Sequence, residues 1–106
     1  MSIRKRFPTT SEIWKFSNPS TVQVKADKYL KTNNPIYKST RKDKKYMIYD
    51  RKNDKWVHFG AMGYEDFTKH RDVKRRNNYR KRATNISGDW RKNKYSPNNL
   101  AIHLLW

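Results

Sequence analysis

No cysteine occurs in the 106 residues, which excludes disulfides and thiolate metal sites. Three scattered histidines, His58, His70 and His103, do not compose a zinc site without cysteine, and neither a metal nor a cofactor is expected. Apolar side chains are scarce too, at 34% of the chain, and no apolar run approaches membrane-spanning length. The opening MSIRKRFPTT lacks the apolar core of a secretory signal. Acids are the last shortage: nine Asp and Glu stand against 26 Lys and Arg, a formal charge of +17. The expectation is a protein that is soluble and intracellular, or carried inside an assembly.

What is present is positive charge and aromatic rings. Aromatics reach 14% of the chain, so a small core of Trp, Tyr and Phe with little aliphatic filling is expected. The length suits one domain with a modest core. Self-repulsion at +17 costs a compact monomer stability and favours a polyanionic partner. Nucleic acid, an anionic membrane surface or acidic protein would each serve.

Residues 1–17 mix positive charge with Phe7, Ile13, Trp14 and Phe16, and Pro8 breaks any early helix. They read as an extended basic and aromatic arm whose four apolar side chains dock on something. Asn18-Pro19 opens a helix, since Asn caps free amides and Pro suits the first helical position. Val22, Ala26, Tyr29 and Leu30 then recur at helical spacing until Asn33-Asn34-Pro35. Positions 36–44 form a basic loop, with room for a short strand at its start. Two β-rich runs, 45–49 and 55–59, flank DRKND as a hairpin. Both faces of the hairpin carry apolar groups, one for the core and the other to be covered by the arm or a partner. Gly60 and Gly63 end the second strand and permit angles closed to other residues.

Beyond Tyr64 the pattern is helical but poorly amphipathic, and a break resolves it. A short helix over 64–70 precedes a second over 73–84 capped by Asp72. A loop around Gly88 and Trp90 follows, and Ser96-Pro97 begins a last helix whose Leu100, Leu104 and Trp106 point inward. The expected fold is α+β: a β-hairpin packed by short helices over residues 18–106, preceded by the arm.

The chemistry concentrates between positions 69 and 82. Lys69, Arg71, Lys74, Arg75, Arg76, Arg80, Lys81 and Arg82 share this stretch with one acid, Asp72. A helix charged round most of its circumference buries little, so contact with a polyanion or an acidic partner explains it better than packing. A nuclease reading would take His58 or His70 as base, Glu65 or Asp66 on a metal, and Arg71 or Arg75 on phosphate. Adjacent acids diverge on a helix, however, and at a first turn they suit the macrodipole. His58, between Val57 and Phe59, reads as a sheet-face residue. Tyr46, Tyr49, Trp56 and Trp90 are candidates for base stacking, but in a chain short of aliphatics they read first as core.

The segments KKYMIYD, KWVHFG and GYEDFTKHRD with its following RR and Y, then GDW, then KYSPNNL ending in LLW, appear in one order over about residues 18–106. This combination resembles small basic proteins encoded by nucleocytoplasmic large DNA viruses of algae and protists, a group of unknown biochemical function that supplies no catalytic residues to carry over. The resemblance implies a place in the virion, reached through assembly in the host cytoplasm. The leading expectation is a non-enzymatic minor capsid or cement component that binds other capsid proteins, its basic surface turned to acidic subunits, an anionic inner membrane surface or the genome. The alternative is a virion protein that binds or condenses viral DNA through phosphates. A small nuclease is the distant third.

Overall fold

The computed structural model describes residues 3–106, Arg4 through its backbone only. It is a small α+β domain: a three-stranded antiparallel sheet in the order β1-β2-β3, with several short helices. The strands are β1 (Ile36–Lys38), β2 (Lys44–Asp50) and β3 (Lys55–Ala61). Asp50, fully buried, closes the β2–β3 turn by accepting from Asn53 N at 3.3 Å and Asn53 Nδ2 at 2.8 Å. Register places Tyr46 opposite Phe59 and Ile48 between Ile36 and Val57, so these five side chains form the inner face.

Helix α1 (Ile3–Arg6) and a 3-10 turn over Glu12–Lys15 precede α2 (Pro19–Leu30), which starts as expected, with Asn18 Oδ1 accepting from Thr21 N. Val22 and Ala26 bury the inner side of α2, and Tyr29 and Leu30 pack beside them. After the sheet come α3 (Phe67–His70) and α4 (Val73–Thr84), then a 3-10 turn at Trp90–Lys92. The last helix opens as α5 (Pro97–Leu100) and widens into a π-helical turn over Ala101–Leu105. Leu100, Ala101, Ile102, Leu104 and Leu105 are all buried there, and only His103 of this run faces outward. This helix lies against α2 and β3. None of the helices among the described residues is long and apolar enough to cross a membrane.

The extended arm expected over residues 1–17 is corrected in its described part; Met1 and Ser2 lie outside it. The stretch is folded, not extended, and Phe7 and Ile13 sit fully buried in the same core as Val22, Tyr46 and Leu104. The Phe7 ring meets Tyr46 edge-on at 5.6 Å. Trp14, half-buried, donates Nε1–H to the Phe7 carbonyl at 3.2 Å, and Phe16 is also half-buried. The physical cause is burial: each large apolar side chain withdrawn from water is worth roughly 1.5–3 kcal/mol. The core they join corrects the expected one of Trp, Tyr and Phe. It is mostly aliphatic, with Val22, Ile36, Ile48, Val57, Leu100, Leu104 and Leu105 beside the rings of Phe7, Tyr46 and Phe59, and none of the four tryptophans is fully buried. The docking partner of Phe7 and Ile13 is the chain itself.

Candidate nucleic-acid interface

The break expected near residue 71 is present and has a clear cause. Asp66 caps α3 by accepting from Thr68 N at 3.0 Å, which starts that helix at Phe67 and not at Tyr64. Arg71 then takes a left-handed conformation (φ 56°) that ends it. Asp72 caps α4, its Oδ1 accepting from Lys74 N at 3.0 Å and Arg75 N at 3.2 Å. The Asp72 amide in turn donates to His70 Nδ1 at 2.9 Å, so that nitrogen carries no proton and Nε2 does. Burial and the nearby Arg75 charge push the His70 pKa down, which agrees with a neutral ring.

Helix α4 carries six cations and no acid in twelve residues, and only Ala83 is buried. Lys74, Arg75, Arg80, Lys81 and Arg82 are exposed, as are Lys69 on α3 and Arg71 in the link. Arg76 is half-buried, its guanidinium 4.6 Å from the Phe67 ring centre. Arg75 pairs with Glu65 at 3.5 Å. Arg80 donates to the Trp106 main-chain oxygen at 2.9 Å. The eight cations of the 69–82 stretch therefore do not form one cluster. Arg75, Lys81 and Arg82 share the rim of a cleft, whereas Arg76 lies on Phe67 and Arg80 on the Trp106 main-chain oxygen, and the charges of these two add to burial in pushing the Lys25 pKa down.

The cleft encloses about 820 Å³. Its floor includes Gly60, Leu105 and the stem of Lys45, and its walls carry Tyr64, Tyr79 and Trp106. Trp106 stacks on Tyr79 with ring centres 4.4 Å apart and planes at 11°. Gly60 has φ +84°, a conformation that favours glycine, and a Cβ there would also displace Leu105 Cδ1, 2.8 Å away. An open cleft with aromatic walls and three cations at the rim suits phosphate groups and planar rings.

Beneath it lies a polar network that no local sequence signal announced. Lys45 Nζ pairs with Asp66 Oδ2 at 3.1 Å, with side-chain exposures of 3% and 0%. Asp66 Oδ1 accepts from Thr68 Oγ1, which in turn accepts from Asn18 N at 2.9 Å and shares a 3.1 Å bond with Ser17 Oγ. Because the Thr68 proton is committed to Asp66, Ser17 must donate to Thr68, and Tyr46 donates to Ser17 at 2.6 Å. Four hydroxyl and carboxylate groups thus run in one direction and end on the carboxylate. Burial pushes the Lys45 pKa down, against the pull of Asp66, and burial pushes the Tyr46 phenol up. The network ties the N-terminal segment, β2 and α3 together, and so fixes the base from which α4 projects.

The groups that the nuclease reading needs are engaged elsewhere. Asp66 is enclosed with Lys45, Glu65 is on Arg75, and His70 Nδ1 is on the Asp72 amide. His58 Nδ1 lies 2.7 Å from Ser39 Oγ on the sheet, in keeping with a sheet-face residue. Among the described residues no three His, Asp or Glu gather closely enough to hold a metal ion. Sequence reasoning missed Lys25 and Lys45, and it placed Trp106 inward with Leu100 and Leu104, whereas Trp106 is half-buried and walls the cleft. The spacing of Arg75, Tyr79 and Arg82 on one helical side carried a signal for the cleft.

Residues 34–83 match the model of a family of unknown function, DUF5754. The matched stretch runs from just before β1 almost to the end of α4, and so takes in the sheet, the capped break and the basic helix. No curated protein and no solved structure matches the chain.

Proposed function

We propose that the protein is a non-enzymatic nucleic-acid-binding protein that grips the sugar-phosphate backbone through α4, without regard to sequence. The observation that carries this reading is the solvation of α4: six cations, no acid, one buried residue. Such a helix contributes little to the core, and its charges opposite a polyanion would release counterions on contact. The Asp72 cap, the Tyr79–Trp106 stack and the bond from Arg80 to the Trp106 main chain dock it on the domain, which makes it a folded contact and not a tail.

A second reading follows from the resemblance to large-DNA-virus proteins. In it the protein is a minor capsid or cement component of the virion whose basic surface meets acidic capsid proteins or an anionic inner membrane surface. The exposed apolar side chains Tyr64 (72%), Val73 (52%) and Ile86 (51%), set around the cations, favour a protein partner. The two readings separate by retention on random-sequence duplex DNA at near-physiological salt. Retention that is lost when Lys74, Arg75, Lys81 and Arg82 become Gln supports the nucleic-acid reading. Release of the wild type at that salt, with stable association to DNA-free capsid shells, supports the other.

A further inference from the structure

The outer face of the sheet is a separate surface that α4 does not use. Alternation along the strands turns Tyr37, Met47, Tyr49, Trp56 and His58 away from the core, opposite to Ile36, Tyr46, Ile48, Val57 and Phe59. Trp56 is 46% exposed, and the other four are half-buried. Its indole is gripped from two sides: Tyr49, directly opposite on β2, meets it edge-on at 5.3 Å and 63°. Tyr37, two strands away on β1, meets it at 5.8 Å and 76°. Arg6 stands 5.6 Å over the Tyr37 ring, which leaves Tyr37 as a wall and Trp56 as the open stacking surface. Two edge contacts fix the plane of the indole before any ligand arrives, so little side-chain entropy is lost on stacking.

The surroundings are cationic. Residues 36–61 hold eight Lys and Arg against three Asp, and of these cations only Lys45 is buried. Arg41 and Lys42 stand in the loop at one end of the strands, and Arg51 and Lys52 in the turn at the other. Asp50 is turned inward to cap that turn, whereas Asp43 pairs with Arg41 at 3.2 Å and Asp54 is exposed beside Arg51 and Lys52, so each loop keeps a net charge of about one cation. Ser39 and His58 on the same face are committed to each other. An exposed indole held by two ring contacts, between two loops of net positive charge, matches sequence-tolerant stacking of an unpaired base.

We propose that this sheet face binds single-stranded nucleic acid, with an unpaired base stacked on Trp56 and the flanking phosphates on the cations of the two loops. A cross-strand Trp–Tyr pair alone would stabilise the hairpin equally well with the indole covered; its exposure and the rim of charge are what point to a strand.

The test compares an oligothymidylate with an abasic oligonucleotide of the same length, which keeps the phosphates and lacks the bases, on the unmodified protein. The oligothymidylate is expected to bind between about five- and a hundredfold more tightly, the effect of one stacked base. Trp56→Ala should remove that difference, and Trp56→Phe should restore part of it, while duplex affinity stays within twofold in both. Equal binding of the two oligonucleotides by the wild type would overturn the proposal and leave the α4 reading untouched. A base-dependent difference that persists in Trp56→Ala would overturn it as well. Loss of duplex binding in the α4 variant, with the base-dependent difference retained, would support two separate surfaces.

Discussion

Helices α2 and α4 are both twelve residues long, and both are opened by a side chain that caps free amides, Asn18 for one and Asp72 for the other. They part company at the next step. α2 places Val22 and Ala26 in the core and lies along the C-terminal helix, whereas α4 buries Ala83 alone. Equal length and similar capping therefore serve opposite ends. α2 is held by what it buries, and α4 by its cap, by Tyr79 stacked on Trp106 and by Arg80 on the Trp106 main-chain oxygen, which leaves the side with Lys74, Arg75, Lys81 and Arg82 for contact. A helix that the core hardly needs is one whose side chains can be spent on a partner.

The largest effect should come from the anchor. Lys45→Ala leaves the Asp66 carboxylate buried without its cation, and a loss of about 3–5 kcal/mol in urea unfolding is expected. A loss under 1 kcal/mol would mean that α3 and α4 are not anchored there. Next is α2: Val22→Ala should cost about 2 kcal/mol through lost burial and the space left behind. Changing Lys74, Lys81 and Arg82 to Gln should each move stability by no more than about 0.5 kcal/mol. Comparable costs in the two helices would erase the contrast between them. Asp72→Ala should cost about 1 kcal/mol and loosen the start of α4, read as faster amide exchange at Lys74 and Arg75.

The smallest effect is on acidification. Burial, with the charges of Arg75 on His70 and of Arg80 on His103, lowers both folded-state pKa values below the usual 6.5. The unfolded chain then binds more protons, so the contribution of both rings is complete above about pH 6.5 and is lost as pH falls through the folded values. His103 stacks on Tyr29 of α2 at 4.2 Å, and His70 receives the Asp72 amide at the head of α4. His103→Gln and His70→Asn should each flatten the decline in urea midpoint below pH 6.5. An unchanged slope in either variant would remove that ring from the explanation.

Much of this contrast was legible in the residues. Asn-Pro, Asp72 and Ser-Pro marked three helix starts, because capping is local chemistry, and the hairpin followed from strand and turn preferences, although β3 runs through Gly60 to Ala61 where the glycine was expected to end it. The lone short strand at Ile36 was also anticipated. Three things were not legible, and all are non-local. Phe7 and Ile13 read as an arm because nothing within their own segment shows that Tyr46, Val22 and Leu104 meet there to take them in. The Lys45–Asp66 pair joins residues 21 apart with no pattern to relate them. The hairpin alternates apolar on both faces, so periodicity could not say which would be covered. Tyr46 took the core place expected of it, but Trp56, expected there too, is on the open side.

The most direct measurement is the salt dependence of duplex-DNA affinity for the wild type and for the variant with Lys74, Arg75, Lys81 and Arg82 changed to Gln. Each phosphate contact contributes about 0.9 to the slope of log affinity against log salt. If α4 lies on the backbone, the four substitutions should reduce the steepness of that slope by about 3 to 4, with the fold intact by urea unfolding. A variant that keeps both the wild-type slope and the wild-type affinity would contradict α4 as the contact surface.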